Sequence, residues 1–292
     1  NTGVPSGFDL DRSGAVGTAV GSRAYGNDSF GYGVFPGQYG FVVLSRFPIE
    51  RDAVRSFQKF LWRDMPGARL PDFAGTPGPG DWFSPEALNV VRLSSKNHVD
   101  VPLRIGGAVV HLLASHPTPP GFDGPEGRND KRNHDEVRLW ADYIDPARAG
   151  YLVDDQGKAG GLPSDAHFVI AGDLNSDPND GDAEEPSIRQ LLEHPRVNGA
   201  FVPTSRGGPA AAAAQRGANE RHRSDPAADT ADFSDGVVGN LRVDYVLPSR
   251  SLAVRGGAVL WPAPDEPGAA ALRDLSDHHL VWLDLQVPAG SL

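Results

Sequence analysis

The chain has 292 residues, and 39% of them are hydrophobic, which is enough to bury a sizeable core in one large domain or two small ones. Its formal net charge of −11 argues against a generally basic surface that coats nucleic acid, but a local basic cleft or a metal-bridged phosphate substrate stays open. The lack of cysteine excludes disulfides and thiolate metal sites, and the sequence has no run of 18 apolar residues and no recognisable signal peptide.

Residues 1–38 are rich in glycine and polar residues and predict a loop-rich leader. Within it, Asp9, Asp11 and Ser13 have the spacing of a calcium-binding loop. The twelfth position of that loop is Val20, where a bidentate glutamate is expected. Two interpretations therefore stay open, a Ca²⁺ ion bound by Asp9, Asp11 and Ser13 or a plain loop.

Apolar runs rich in β-branched residues predict eight strands in the rest of the chain. They lie at 39–45, 88–93, 99–105, 108–114, 168–171, 241–247, 252–260 and 280–285. Gly106-Gly107 predicts a hairpin turn between the third and the fourth of them. Two stretches of low periodicity, 51–85 and 205–236, predict long surface loops, and the first of these either selects substrate or is decoration.

A helix is predicted from Asn129 onward. Its apolar stripe, at i, i+3, i+4 and i+7, consists of Val137, Trp140, Ala141 and Ile144. Its opposite, polar face consists of Lys131, Arg132, Asp135, Glu136 and Asp142. Because this helix lies between the strands at 108–114 and 168–171, the order strand, helix, strand predicts a β-α-β layering.

Polar side chains lie at four places next to or within core strands. They are His116 after 108–114, Asp173 and Asn175 after 168–171, Asp244 within 241–247, and Asp277 with His278 before 280–285. Each has an ordinary explanation when taken alone, since Asp and Asn favour turns and a single histidine is often structural. Four such positions on core strands together predict one site.

The residue types in this set favour a particular chemistry. Asp, Asn and His without cysteine suit a hard, oxygen-ligated cation such as Mg²⁺ or Mn²⁺, which holds phosphoryl oxygens while a base activates water. Asp244 and His278 suit a pair in which a carboxylate orients a histidine that acts as base or charge stabiliser. The serine-hydrolase motif G-x-S-x-G and the zinc-protease motif H-E-x-x-H are absent.

The order of these motifs resembles the endonuclease/exonuclease/phosphatase superfamily, including its secreted bacterial members. The motifs are Ser-His116-Pro, Gly-Asp173-Leu-Asn175-Ser-Asp-Pro, Arg-Val-Asp244-Tyr-Val-Leu and Ser-Asp277-His278. The resemblance covers 39–286 as the core of a single domain over 1–292. It implies an α/β (α+β) fold, a four-layered sandwich of two facing mixed β-sheets flanked by helices, and a secreted protein.

The resemblance also implies a role for each matched residue. His116 contacts the scissile phosphate, and Asp173 orients or deprotonates the attacking water. Asn175 binds a phosphate oxygen or belongs to the metal shell. Asp244 orients His278, which is the general base or the transition-state stabiliser.

The remaining implied positions concern the metal and the substrate. Asp277 lies in or next to the shell of the Mg²⁺ or Mn²⁺ ion, together with Asp173 and Asn175. Lys96 and His98 lie near a strand end and are expected to line the substrate cleft with His116 and Asn175. His279 has no family role and is interpreted as structural.

One departure from the family pattern is large. The family begins with a strand bearing asparagine and a second strand bearing the glutamate that is the main metal ligand, both ahead of the segment that matches 39–48. Residues 1–38 supply neither, and the first glutamate is Glu50. We therefore expect the N-terminal part of the family domain to be absent, the sheet to lack its first strands and bare an apolar edge, and metal affinity and activity to be weak.

Two functions follow as alternatives. The first is metal-dependent hydrolysis of phosphate esters by a phosphodiesterase, nuclease or phosphatase, whose substrate is a nucleic acid, a lipid headgroup or a sugar phosphate. The second is a non-catalytic or inactive module of the same fold that lacks the metal-binding glutamate. In either case we expect no membrane span and a monomer, or a protein completed by a missing N-terminal segment.

Overall fold

The computed structural model describes residues 1–73, 75–273 and 275–288. In these ranges the helices and strands are α1 (Arg23–Asn27), β1 (Arg55–Ser56), α2 (Pro85–Leu88), β2 (His98–Ile105), β3 (Ala108–Ser115), α3 (Arg128–Tyr143), β4 (His167–Asp173), α4 (Arg189–Leu192), α5 (Gly207–Gln215), β5 (Ala231–Asp232), β6 (Asn240–Leu241), β7 (Asp244–Pro248), β8 (Ala253–Val259), α6 (Ala269–Leu272) and β9 (Val281–Gln286). Short 3₁₀ helices cover Arg51–Ala53, Trp62–Asp64, Ala149–Tyr151, Gly217–Arg221 and Pro226–Ala228. Over the described ranges, every helix is too short or too polar to cross a membrane.

The largest sheet has five strands in the order β1-β2-β3-β4-β7. Strands β3 and β4 are parallel, and the other neighbouring pairs are antiparallel. The pairs β5-β6 and β8-β9 form separate two-stranded antiparallel sheets. The mixed α/β fold class is confirmed, and the sheet that faces the large one consists, in the described chain, of β8 and β9.

Alternating side chains give the central strands two buried faces. In β4, Phe168 and Ile170 point into the main core, which also contains Trp140 of α3. Val169, between them, points to the other face and belongs to a smaller cluster against which Leu285 of β9 packs. The five-stranded sheet therefore lies between α3 on one side and the β8-β9 sheet on the other.

Helix α3 buries more than its predicted apolar stripe. Trp140 of that stripe is fully buried, and the carboxylates of the opposite, polar face are buried as well. They belong to Asp135, Glu136 and Asp142. Trp62 donates its Nε1–H to Asp135 at 2.7 Å, and the Tyr151 hydroxyl donates to Asp142 at 2.8 Å. These acids are buried because partners from distant segments satisfy them, and helical periodicity contains no information about such partners.

Two predicted strands do not form in the described chain. Segment 39–45 begins in a turn, where Tyr39 has φ of 63°, and continues without pairing to a neighbouring strand. Its Val42 and Leu44 are 75% and 87% exposed. A strand needs a hydrogen-bonded neighbour, and this segment has none there, so its high β-propensity has no effect. Segment 88–93 instead follows helix α2, which Ser84 caps by accepting a hydrogen bond from the Ala87 N–H.

The predicted loop at 205–236 contains helix α5. Its run of alanines, Ala210–Ala214, has the highest intrinsic helix propensity of any residue type. The low-complexity composition of this stretch therefore marked a short helix, and the loop interpretation was wrong for these residues.

Candidate active site

Strands β4 and β7 place two carboxylates directly opposite each other. The strands are antiparallel, and Asp173 is the register partner of Asp244. By strand alternation both lie on the face that includes Val169 and Val246, which points toward the β8-β9 sheet. Two half-buried acids side by side are unfavourable unless cations or donors compensate them. The surrounding residues provide this compensation.

The segment before β9 brings a histidine to both acids. His278 forms an antiparallel backbone bridge with Ala231, and its Nδ1 lies 2.8 Å from Asp244 Oδ2. Its Nε2 lies 3.9 Å from Asp173 Oδ2, and the ring of Phe233 packs edge-on against it. Burial alone would lower the pKa of His278, but the hydrogen bond and charge of Asp244, with the charge of Asp173, raise it to about 9. The imidazole is therefore protonated at neutral pH.

His116 and Asn175 approach the same carboxylate from the ends of β3 and β4. His116 Nε2 lies 3.2 Å from Asp173 Oδ2. Asn175 has a left-handed backbone with φ of 51°, which asparagine tolerates better than most residues. In this turn its Nδ2–H group donates to Asp173 Oδ2 at 3.1 Å and to the Pro117 carbonyl at 3.0 Å. Its backbone N–H donates to Asp173 Oδ1 at 2.9 Å.

These contacts keep Asp173 ionised. Burial would raise the pKa of Asp173, but the hydrogen bond from His116 and the charges of His116 and His278 outweigh burial and hold it below its usual range. An ionised carboxylate flanked by two imidazoles and an amide can orient a water molecule and leave cationic or polar N–H groups for a phosphate.

Thr230 is a site residue that the sequence analysis did not identify. Its hydroxyl donates to Asp244 Oδ2 at 2.9 Å and accepts from the backbone N–H groups of Val243 and Asp244. Asp244 therefore has two donors, Thr230 and His278, which fix its orientation. Thr230 lies in the stretch predicted as a loop, and no periodicity or motif there indicated its contact.

Lys96 and His98 do not line the cleft. Lys96 is 7% exposed, and its Nζ donates to the Pro117 carbonyl at 3.0 Å. His98 is fully buried, donates its Nε2–H to the Glu136 carbonyl at 2.8 Å, and accepts at Nδ1 from the Ser94 hydroxyl. Burial lowers the pKa of His98 to about 4, so the ring is neutral. Lys96 therefore supports the loop after β3 from inside, and His98 packs against Trp140 in the core.

Asp277 and His279 lie apart from the cluster around Asp173. Asp277 lines a cavity of about 600 Å³ together with Asp232 and Trp261. His279 stacks on Trp261 with ring centroids 3.8 Å apart, which fits its structural interpretation. On an extended backbone, alternate side chains point to opposite sides, so the neighbours of His278 face away from the acids that His278 contacts.

The donor set near Asp173 suits a hard divalent cation in part. Asp173, Asp244 and His278 each offer one ligand atom, and these atoms lie within 4.8 Å of one another. His278 is bonded to Asp244 through Nδ1, so only its Nε2 faces the space beside Asp173. The oxygens of Asp173 and Asn175 are the donors that fit such an ion. Glu50, the first glutamate, instead pairs with Arg104 at 2.5 Å.

A second acidic group lies in the leader. Carboxylate oxygens of Asp9, Asp11 and Asp28 lie within 4.8 Å of one another. Ser13 donates its backbone N–H to Asp9 at 2.9 Å and to Asp11 at 3.1 Å, so it closes the loop by hydrogen bonds. The third carboxylate is that of Asp28, in place of the predicted Ser13, and the Ca²⁺ site stays a prediction.

Comparison with known proteins finds one family match over most of the chain. The model described as "Endonuclease/Exonuclease/phosphatase family" matches residues 5–278. This range includes most of the leader, and it gives no support to the expected absence of the N-terminal part of the family domain. Among curated proteins, no sequence matches the chain.

Several solved structures are similar at low identity. An endonuclease/exonuclease/phosphatase from Beutenbergia cavernae DSM 12333 is 17% identical over 83% of this chain, with a TM-score of 0.44. Sphingomyelinase C from Streptomyces griseocarneus is 16% identical over 82%, with a TM-score of 0.36. The mannosyl-6-phosphatase Bt3783 from Bacteroides thetaiotaomicron is 12% identical over 66%, with a TM-score of 0.35. The chain spans 46%, 62% and 59% of these proteins, respectively.

Proposed function

The chain belongs to the endonuclease/exonuclease/phosphatase family, and from this premise we propose that it hydrolyses phosphate esters at the edge where β3, β4 and β7 meet. The proposed catalytic centre consists of His116, Asp173, Asn175, Asp244 and His278. The observation that carries the proposal is the convergence of three nitrogens on Asp173 Oδ2. His116 Nε2 is 3.2 Å away, Asn175 Nδ2 is 3.1 Å away and His278 Nε2 is 3.9 Å away.

Each side chain has a role that follows from its protonation and its partners. Ionised Asp173 orients the attacking water and accepts its proton as the new P–O bond forms and the bond from phosphorus to the ester oxygen breaks. The leaving alcohol takes its proton from solvent, and a p-nitrophenyl group leaves as the phenolate. Protonated His278, held by Asp244, donates a hydrogen bond to the phosphoryl oxygens as negative charge develops on them. The ring of His116 binds another phosphoryl oxygen. Asn175 donates both Nδ2 hydrogens, to Asp173 and to the Pro117 carbonyl, so it fixes Asp173 and has only its Oδ1 to offer to a cation. The raised pKa of His278 favours its role as charge stabiliser over that of base.

We propose Mg²⁺ or Mn²⁺ as the cofactor, held by the oxygens of Asp173 and Asn175. When bound, such an ion neutralises phosphoryl charge. Asp244 does not join this set, since its Oδ2 already accepts from Thr230 and pairs with His278. The proposed ligand set is thus smaller than the one expected from the sequence, because Asp277 lines a different cavity.

The test measures p-nitrophenolate release from bis- and mono-p-nitrophenyl phosphate, with Mg²⁺ or Mn²⁺ and with excess chelator. We expect turnover that requires the divalent ion. Asp173→Asn should lower kcat by at least 100-fold, because the amide neither accepts the proton nor carries the charge. The matched control is Asp165→Asn, an exposed acid before β4, which should keep normal kcat.

The rival function is a non-catalytic module with the same fold. One observation favours it: among the described residues, no glutamate joins the group of ligand atoms around Asp173. The same assay separates the two functions. A folded protein that releases no p-nitrophenolate from either ester with any divalent ion would support the rival and contradict our proposal.

A further inference from the structure

We propose that Glu136, assisted by Lys96, is a positioning residue that holds the loop bearing His116 in its catalytic place. This inference rests on the proposed phosphoesterase function, since it assigns a purpose to the fixed position of His116. It concerns a side chain that lies on the polar face of the predicted helix and that is fully buried.

The carboxylate of Glu136 ties two distant chain segments together. Its Oε1 accepts the backbone N–H of Ser95 at 2.5 Å, and its Oε2 accepts the backbone N–H of Thr118 at 2.6 Å. Ser95 lies just before β2, and Thr118 lies two residues after His116. Each carboxylate oxygen thus serves one segment, so loss of either oxygen releases one of them.

Lys96 holds the same loop at the residue next to His116. Its Nζ donates to the Pro117 carbonyl at 3.0 Å, and the Nδ2 group of Asn175 donates to the same oxygen at 3.0 Å. The Ser95 hydroxyl donates to the His116 carbonyl at 3.4 Å. Three consecutive residues of the loop are therefore held by hydrogen bonds. Ser95 and Lys96 hold the carbonyls of His116 and Pro117, and Glu136, which also binds Ser95, holds the N–H of Thr118.

Two cations lie close to the buried carboxylate of Glu136. Burial lowers the pKa of Lys96 to about 8 and the pKa of Arg132 to about 10. The charge of Glu136 acts in the opposite direction and raises both pKa values. Burying a carboxylate and two nearby cations carries a desolvation penalty that an apolar side chain at the same position would not have. The position of Glu136 under the His116 loop gives it a function in the proposed site.

The test compares Glu136→Gln with Asp142→Asn. Both variants replace a fully buried carboxylate of α3 with its amide, but Asp142 accepts from Arg138 and Tyr151, away from the His116 loop. In Glu136→Gln, one oxygen becomes an NH₂ group that faces a backbone N–H donor. We expect kcat to fall about 10- to 100-fold with KM within about threefold, because misplacement of a catalytic group by about 1 Å has effects of this size. Asp142→Asn should keep kcat within about threefold.

Lys96 supplies a second pair of variants. Lys96→Met removes the donor to Pro117 and should lower kcat about tenfold. Lys96→Arg keeps a cationic donor and should recover most of that loss. If Lys96 only stabilised the fold, Lys96→Met and Lys96→Arg would have the same kcat when each is measured below its unfolding temperature.

A readout that does not need turnover accompanies the kinetics. The imidazole ¹⁵N and ¹H resonances of His116, assigned with His116→Ala, should shift in Glu136→Gln and keep their wild-type positions in Asp142→Asn. If folded Glu136→Gln keeps the wild-type His116 resonances, the inference is overturned whatever the activity. If the resonances shift while the wild type hydrolyses no ester, the positioning role stands and the proposed function fails.

Discussion

At the residue scale, the site depends on how Asp173 and its neighbours satisfy one another. Asp173 stays ionised because His116 and His278 offset the effect of burial on its pKa. His278 stays protonated because Asp244 offsets the effect of burial on the pKa of the imidazole. The sequence identified these residues as polar side chains at strand ends. It did not identify Thr230 or Glu136, because their roles depend on partners that are distant in the chain. Composition and spacing contain no signal for such contacts.

The neutral, buried His98 predicts a pH dependence of stability. Its folded pKa of about 4 lies below the ordinary 6.5, so between these values the unfolded chain binds more protons and stability falls as pH falls. From pH 7.5 to pH 5 the expected loss is about 2 kcal/mol in the free energy of unfolding. Denaturant unfolding at both pH values measures it.

The matched variant for this prediction is His98→Gln, which keeps an N–H donor toward the Glu136 carbonyl but does not titrate. Its free energy of unfolding should fall by about 2 kcal/mol less than that of the wild type over the same pH interval. An equal loss in both proteins would show that His98 is not the group responsible.

At the element scale, the ends of β3 and β4 approach each other closely where the side chains of the proposed catalytic centre leave the sheet. Gly172 has φ of 150°, and a Cβ there would lie 1.9 Å from the carbonyl oxygen of Ser115. The strands themselves, β2, β3, β4 and β7, were predictable from apolar runs. The absence of a strand at 39–45 was not predictable, because strand formation depends on a hydrogen-bonded neighbour as well as on the propensity of the segment.

Gly172→Ala should therefore destabilise the sheet at the catalytic edge. The methyl group can be accommodated only if β4 moves away from β3, so we expect a loss of at least about 2–3 kcal/mol in the free energy of unfolding, and lower kcat. Gly150→Ala is the control, since a Cβ there meets nothing within 4 Å and should change stability by less than about 0.5 kcal/mol. Equal stability of the two variants would contradict the close approach.

At the scale of the whole molecule, the two faces of the five-stranded sheet are buried to different extents. The main core lies between the five-stranded sheet and α3, whereas the facing sheet has two strands in the described chain. Apolar side chains outside the core include Val42, Leu44 and, beside β9, Leu280, which is 63% exposed. The expected bare apolar edge rested on the absence of the family's N-terminal strands, which the family match over residues 5–278 does not support. No property of composition alone distinguishes Val42, Leu44 and Leu280 from core residues.

Charged substitutions at this surface should change association and leave stability unchanged. Val42→Lys with Leu44→Lys should lower the fluorescence of a bound apolar dye, because the side chains of both residues face solvent. The free energy of unfolding should stay within about 0.5 kcal/mol of the wild type. A loss above about 2 kcal/mol would show that segment 39–45 packs against the domain.

The central claim is that His278, held by Asp244 and facing Asp173, takes part in phosphate-ester hydrolysis. The most direct measurement is the rate of bis-p-nitrophenyl phosphate hydrolysis by His278→Ala and by His167→Ala, each with saturating Mg²⁺. His167 lies at the end of β4 away from Asp173 and contacts Ser251, so its variant controls for loss of a histidine outside the proposed site. We expect kcat to fall at least 100-fold in His278→Ala and to stay near the wild-type value in His167→Ala. Near-normal turnover by folded His278→Ala would contradict the claim.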